Sequence, residues 1–287
     1  MRPLLALLLA ALGGCSAGPR PPQYMKEAER GEEGARRAME LIRAELGPEF
    51  ETRVVDEVFF LASNGDPPAV EAAEETIRRM TGYLYATFFS RRPTRPIRIF
   101  CFRNPATYAE YVRSAYGRAP TTPYGFYMSA ERKMVLNLGT GTGTLAHELV
   151  HPLIGEDFPG VPAWFNEGFA SLFEHAVRGD DGRILPRVNW RLGDLKRAFR
   201  EGREVRLATL METNTDEFYG DERGVNYATA RYFCFYLQRQ DLLVRYYREF
   251  RATVNADPTG KAALERVTRK SLADFETEWR SWVGELR

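Results

Sequence analysis

Histidine is scarce in this sequence, with three in 287 residues. Cysteine is equally scarce, at three, which excludes a small domain held together by a disulfide framework. Neither sign of charge dominates, because 40 Lys and Arg face 39 Asp and Glu for a formal net charge of +1. A balance this even gives the chain no overall attraction to nucleic acid or to anionic lipid. Absent too is any run of five or more like charges, the usual mark of a nucleic-acid-binding tail. No apolar stretch reaches the roughly 20 residues that a spanning helix needs. What is present is globular: 44% hydrophobic and 13% aromatic residues exclude a disordered or collagen-like chain.

The N-terminus reads as an export signal. Arg2 precedes Leu4 to Leu12, a stretch of Leu and Ala only, and then Gly13-Gly14-Cys15-Ser16. One positive charge, a short apolar stretch and small residues before a cleavage point make a secretory signal. Leu12-Gly13-Gly14-Cys15 resembles the bacterial lipobox, which implies a lipid on Cys15 and a membrane-attached mature protein. Ser16 in place of Asp fits onward transport to an outer membrane, and the alternative is an ordinary signal with an incidental Cys. Residues 17–22, rich in Pro and Gly, read as a tether. Cys101 and Cys234 are left to pair in an oxidising compartment or to lie as buried thiols in their apolar runs, the second being the expected state.

Periodicity predicts an α+β chain. A helix is expected over Gln23 to Leu46, ended by Gly47-Pro48, then one strand over Arg53 to Ala62. A helix from Asp66-Pro67-Pro68 to Phe89 carries Ile77, Met80, Leu84 and Phe88 on one face. A strand over Pro96 to Phe102, a helix begun by Asn104-Pro105 and a hairpin of 125–128 with 134–138 follow. Beyond about Ala163 the pattern is predominantly helical. The ranges expected are 1–15 for the signal and lipidated Cys, 16–48 for the tether and first helix, and 49–287 for the main domain. That domain divides at about residue 155 into a mixed upper lobe and a helical lower lobe, with the functional segment at the junction.

That segment is His147-Glu148-Leu149-Val150-His151. On a helix, residues i and i+4 share a face, so both imidazoles reach one ion. Glu148 lies about 100° around the helix, beside the ion rather than on it. This geometry suits Zn²⁺ with a water and a general base next to that water. Gly139-Thr140-Gly141-Thr142-Gly143 ahead of it lacks nucleotide-loop spacing and reads as a flexible entry, with Thr142 or Thr144 as N-cap. Pro152 directly after His151 predicts a kink or an end there.

Two His leave a catalytic zinc one protein ligand short. Downstream, Ala163-Trp164-Phe165-Asn166-Glu167-Gly168-Phe169-Ala170-Ser171-Leu172-Phe173-Glu174 reads as a second helix. HExxH followed by a helix bearing Asn-Glu-Gly-Phe-Ala is similar to the gluzincin metallopeptidases, and the larger arrangement resembles their peptidase MA-like domains. The resemblance covers most of Phe50 to Trp282, but only Gly125 to Glu174 is specific. It implies a zincin-like fold, Glu167 as third zinc ligand and a peptide or protein substrate. The spacing between the motifs is shorter than in gluzincin aminopeptidases. The Gly-Ala-Met-Glu-Asn signature that binds a substrate amino terminus is absent, so exopeptidase activity is not implied.

The family also implies a donor for the oxyanion from the C-terminal lobe. No His follows His175, so a Tyr is expected: Tyr227, whose separation from Glu167 resembles the family's, or Tyr219 in a Gly-bounded turn. Core packing is the alternative for both. Glu174 or Ser171 can back a ligand imidazole or be plain helix-surface polarity, while His175 reads as a surface or packing residue. The strand over Met134 to Leu138 is expected to be an edge that pairs with extended substrate. The resulting reading is an envelope-tethered zinc metallopeptidase. Its rivals are a zinc hydrolase of a non-peptide bond and a catalytically silent zincin used as a binding module.

Overall fold

The computed structural model describes residues 31–287. The signal, Cys15, the tether and the start of the first helix lie outside the described residues. The chain runs α1 (Gly31–Leu46), β1 (Glu51–Val55), β2 (Phe59–Ser63), α2 (Pro67–Thr87), β3 (Ile97–Phe102), α3 (Pro105–Tyr116), β4 (Gly125–Met128) and β5 (Lys133–Asn137). It continues through α4 (Gly143–Asp157), α5 (Ala163–Ala170), β6 (Ala176–Arg178), β7 (Ile184–Pro186) and α6 (Arg191–Glu201). The rest is helical: α7 (Leu207–Glu212), α8 (Thr215–Phe218), α9 (Arg223–Arg239), α10 (Leu243–Thr253), α11 (Lys261–Thr268) and α12 (Leu272–Glu285). The class is α+β.

Five strands form one mixed sheet in the order β1-β2-β3-β5-β4. β2, β3 and β5 are parallel, and β1 and β4 flank them antiparallel. Side chains alternate across the sheet. Phe59, Leu61, Ile97, Ile99, Met134 and Leu136 face the core that contains α2 and α4. Phe60, Ala62, Phe100, Phe102 and Val135 face α1 and α3. Both faces are covered, which is why the central strands read as unbroken apolar runs.

The strand expected over Arg53 to Ala62 is instead the hairpin β1–β2. Asp56 and Glu57 turn the chain with φ of 49° and 63°, in the left-handed region that hairpin turns require. β5 is not an edge, because β4 covers it and every one of its residues is buried. The edge strand is β4. The segment read as a second helix from Ala163 to Glu174 is α-helical only to Ala170 and tightens into a 3₁₀ turn over Ser171–Phe173. A two-stranded hairpin, β6–β7, also interrupts the region expected to be helical.

Pro152 neither ends nor splits α4, which continues to Asp157. The missing N–H removes a bond to the Glu148 carbonyl. Leu149, Val150, Leu153 and Ile154, all fully buried around it, hold the helix by packing instead. Thr142 occupies the N-cap position, but its side chain makes no capping bond. Gly143 is a close-approach residue rather than a flexible entry: a Cβ there would lie 2.4 Å from the Glu174 carbonyl oxygen. Cys101 and Cys234 are free and buried, and burial pushes both thiols above their usual range. No helix among the described residues is long and apolar enough to cross a membrane.

Candidate metal centre

α4 packs against α2 and the sheet, while α5 returns beside it after the Phe158–Pro162 turn. Gly168 permits this placement. A Cβ there would sit 2.6 Å from the Ala230 carbonyl oxygen, so α5 and α9 approach too closely for any larger residue. The return brings Glu167 over the first turns of α4. His147, His151 and Glu167 offer one ligand atom each, all within 4.8 Å of one another, and this is the group of its kind found among the described residues.

The atoms converge in a definite pattern. Glu167 Oε2 lies 3.1 Å from His147 Nε2 and 3.8 Å from His151 Nε2. Ligands held at zinc distances of about 2.0–2.1 Å in a tetrahedron stand roughly 3.3 Å apart, so the spacing fits a metal of that size. Both imidazoles are backed on the other side. His151 Nδ1 meets Asn166 Oδ1 at 3.0 Å. His147 Nδ1 lies 3.2 Å from Glu174 Oε1, although not aligned for a full hydrogen bond. Such outer partners fix a ligand ring so that its Nε2 points inward.

Glu174 is itself tied down. Arg191 donates to it through Nη2 at 2.8 Å and Nε at 3.3 Å, and Asn189 Nδ2 donates at 3.2 Å. Of the two outer candidates, the structure brings Glu174 to the imidazole, whereas the Ser171 hydroxyl donates to the Gly168 carbonyl. His175 is exposed and its Nδ1 meets the Val188 carbonyl, so it stands apart from the cluster.

Glu148 is buried beside His151, with Oε2 3.7 Å from Nε2. Burial raises its carboxyl above the usual range, against the pull of the two histidines. Burial acts the same way on Glu167, but His151 and the hydrogen bond to His147 outweigh it and hold that carboxyl at about 2. Glu174 is held at about 2 by His147 and Arg191 despite its burial. Three carboxylates thus face one guanidinium across two imidazoles.

The structure brings both candidate tyrosines to the site, in different roles from one another. Tyr219 donates to Glu167 Oε1 at 2.6 Å. Tyr227 is half-buried at the start of α9, its ring 6.2 Å from that of Tyr219 and the Arg191 guanidinium 4.9 Å from its ring centroid. Sequence reading missed Asn166, Asn189 and Arg191. Asn166 stood next to Glu167 on the same helix turn and was within reach of the same reasoning. Asn189, from the loop before α6, and Arg191, the first residue of α6, lie 15 and 17 residues beyond Glu174 and carry no local signal.

The chain matches no protein-family model and no curated protein sequence. The functional assignment therefore rests on the geometry of this cluster.

Proposed function

We propose that this protein is a zinc-dependent metallopeptidase of gluzincin type on a zincin-like fold, tethered to the bacterial cell envelope through a lipid on Cys15. The observation that carries the reading is the meeting of one Glu167 oxygen with the Nε2 atoms of both histidines, each ring backed by its own outer partner. His147, His151 and Glu167 would hold the ion. When bound, Zn²⁺ supplies a Lewis acid and lowers the pKa of a water to about 7.

Glu148 takes a proton from the attacking water at its carboxylate and returns it to the leaving amine. Its burial makes that carboxylate a better base than a solvated one. Tyr227 offers its hydroxyl to the developing oxyanion, where a positioned donor is worth about 2.7–4 kcal/mol. An extended peptide has a matching partner in β4. Asn137 N donates to Tyr124 O at 2.8 Å, so ladder alternation leaves the N–H and C=O of Gly125 and Tyr127 facing outward from the sheet.

The test is metal analysis of residues 23–287 combined with cleavage of a broad peptide library. One zinc per chain and peptide cleavage are expected. Glu148→Gln should retain zinc and lose about 10²–10⁴ in rate, since an amide cannot accept the proton. Zinc with no turnover on any peptide would favour the silent binding module. Wild-type turnover in Glu148→Gln would remove the mechanism.

A further inference from the structure

We infer that Tyr219 is a positioning residue that occupies one oxygen of Glu167, so that the carboxylate meets the metal through the other alone. The inference rests on the metal-centre reading above and divides the two tyrosines between two tasks. Tyr219 donates to Oε1 at 2.6 Å, whereas it is Oε2 that lies 3.1 and 3.8 Å from the histidine nitrogens. A carboxylate with both oxygens free can bind an ion through one or both. One that accepts a phenol proton on Oε1 presents a single donor atom and a single orientation.

The placement of Tyr219 is built into the chain. It follows α8, a four-residue helix held by a capping box in which Asn214 and Glu217 bond reciprocally to each other's backbone. Phe218, fully buried beside it, anchors the turn, and Asn226 Nδ2 donates to the Phe218 carbonyl at 3.0 Å. The Tyr219 ring packs edge-on against Phe218 at 5.2 Å. Its hydroxyl is thereby committed to Glu167. Tyr227, whose ring lies 6.2 Å from that of Tyr219, keeps a hydroxyl that no carboxylate among the described residues claims.

Chelator competition on the full mature chain measures the zinc affinity of wild type and Tyr219→Phe, and X-ray absorption reads the ligand shell. Loss of a partner to a metal ligand typically costs about 10- to 100-fold in affinity. Tyr219→Phe is expected to bind zinc weaker by that factor, with a second carboxylate oxygen entering the shell and the metal-free melting temperature unchanged. An affinity within twofold of wild type together with an unchanged absorption spectrum overturns the assignment. Wild-type protein that takes up no zinc overturns the metal centre itself, and this outcome is distinct from the first.

Discussion

Ahead of Pro152, α4 carries His147 and Glu148, both buried, and the half-buried His151; at its C-terminal end it carries Asp157, fully buried. The two ends treat negative charge in opposite ways. Asp157 accepts from the backbone N–H groups of Ser90 and Arg91, the Ser90 hydroxyl, the Tyr247 hydroxyl and the Arg251 guanidinium. It joins the end of α4 to α10 and to the segment after α2, and every lone pair has a claimant. A carboxylate at a helix C-terminus is disfavoured by about 0.3–1 kcal/mol, an amount these five donors override. Around His147 the balance is not closed. Burial works against a charge on His147, but Glu167 and Glu174 outweigh it and hold that imidazole at about 10, so three carboxylates face Arg191 and one proton that a divalent cation would displace. Arg231 acts on Glu174 only at longer range, its guanidinium being bonded to the Arg187 carbonyl. The saturated end is an anchor, and the unsaturated end is suited to a divalent cation.

Substitutions at the two ends should separate these properties. His147→Ala or His151→Ala is expected to abolish stoichiometric zinc, and hydrolysis with it, while Glu167→Ala weakens zinc strongly. Metal analysis checks this, and full occupancy in Glu167→Ala would show that the third ligand lies elsewhere. Asp157→Ala should leave zinc affinity untouched but cost about 3–5 kcal/mol of stability, the usual loss when one member of a buried pair is removed. Denaturant midpoints read that difference. Lost zinc affinity in Asp157→Ala would mean that the two ends of α4 are not independent.

A smaller effect tests the open side of the centre. Tyr227→Phe removes only a hydroxyl, so its contacts with Phe218 and Arg191 persist. Turnover is expected to fall by about tenfold, roughly 1.4 kcal/mol, with zinc content and melting temperature little changed. Unchanged turnover would pass the oxyanion role to a backbone amide, because the Tyr219 hydroxyl is already committed to Glu167.

The two ends of α4 were not equally legible in the sequence. His147 and His151 announce themselves because helical spacing is local and histidine is rare in this chain. Glu167 needed a resemblance, because nothing local says that α5 folds back beside α4; Gly168, which lets α5 pack closely on α9, is explained only by Ala230. Asp157 was invisible. Its partners lie 66 to 94 residues away, and a lone Asp near a helix end reads as solvated. Pro152 misled for the complementary reason. Local propensity predicted a break, and packing on both sides of the helix outweighed it. The acidic pair Asp56-Glu57 did interrupt the apolar run from Arg53 to Ala62, so the β1–β2 turn was readable and was overlooked.

The finest distinction between the two ends concerns acid. Burial pushes the Asp157 carboxyl up, but the Tyr247 hydroxyl and the backbone of Ser90 and Arg91 outweigh it and hold the group below the ordinary aspartate value. Arg251 faces it from α10, and Tyr85 on α2 and Glu156 beside it complete the titratable surroundings. A carboxyl with a depressed folded pKa stabilises the protein above its unfolded value of about 3.9, and that contribution is lost as pH falls through the folded pKa. Asp157→Asn cannot titrate, so it lacks this part of the acid limb. Glu167 and Glu174, also depressed, contribute equally to both proteins and cancel in the difference. Urea midpoints of metal-free wild type and Asp157→Asn should therefore lie well apart at neutral pH and draw together below about pH 4. A gap that stays constant down to about pH 2 would mean that Asp157 has no depressed pKa and that the five donors do not act as the closed set described here.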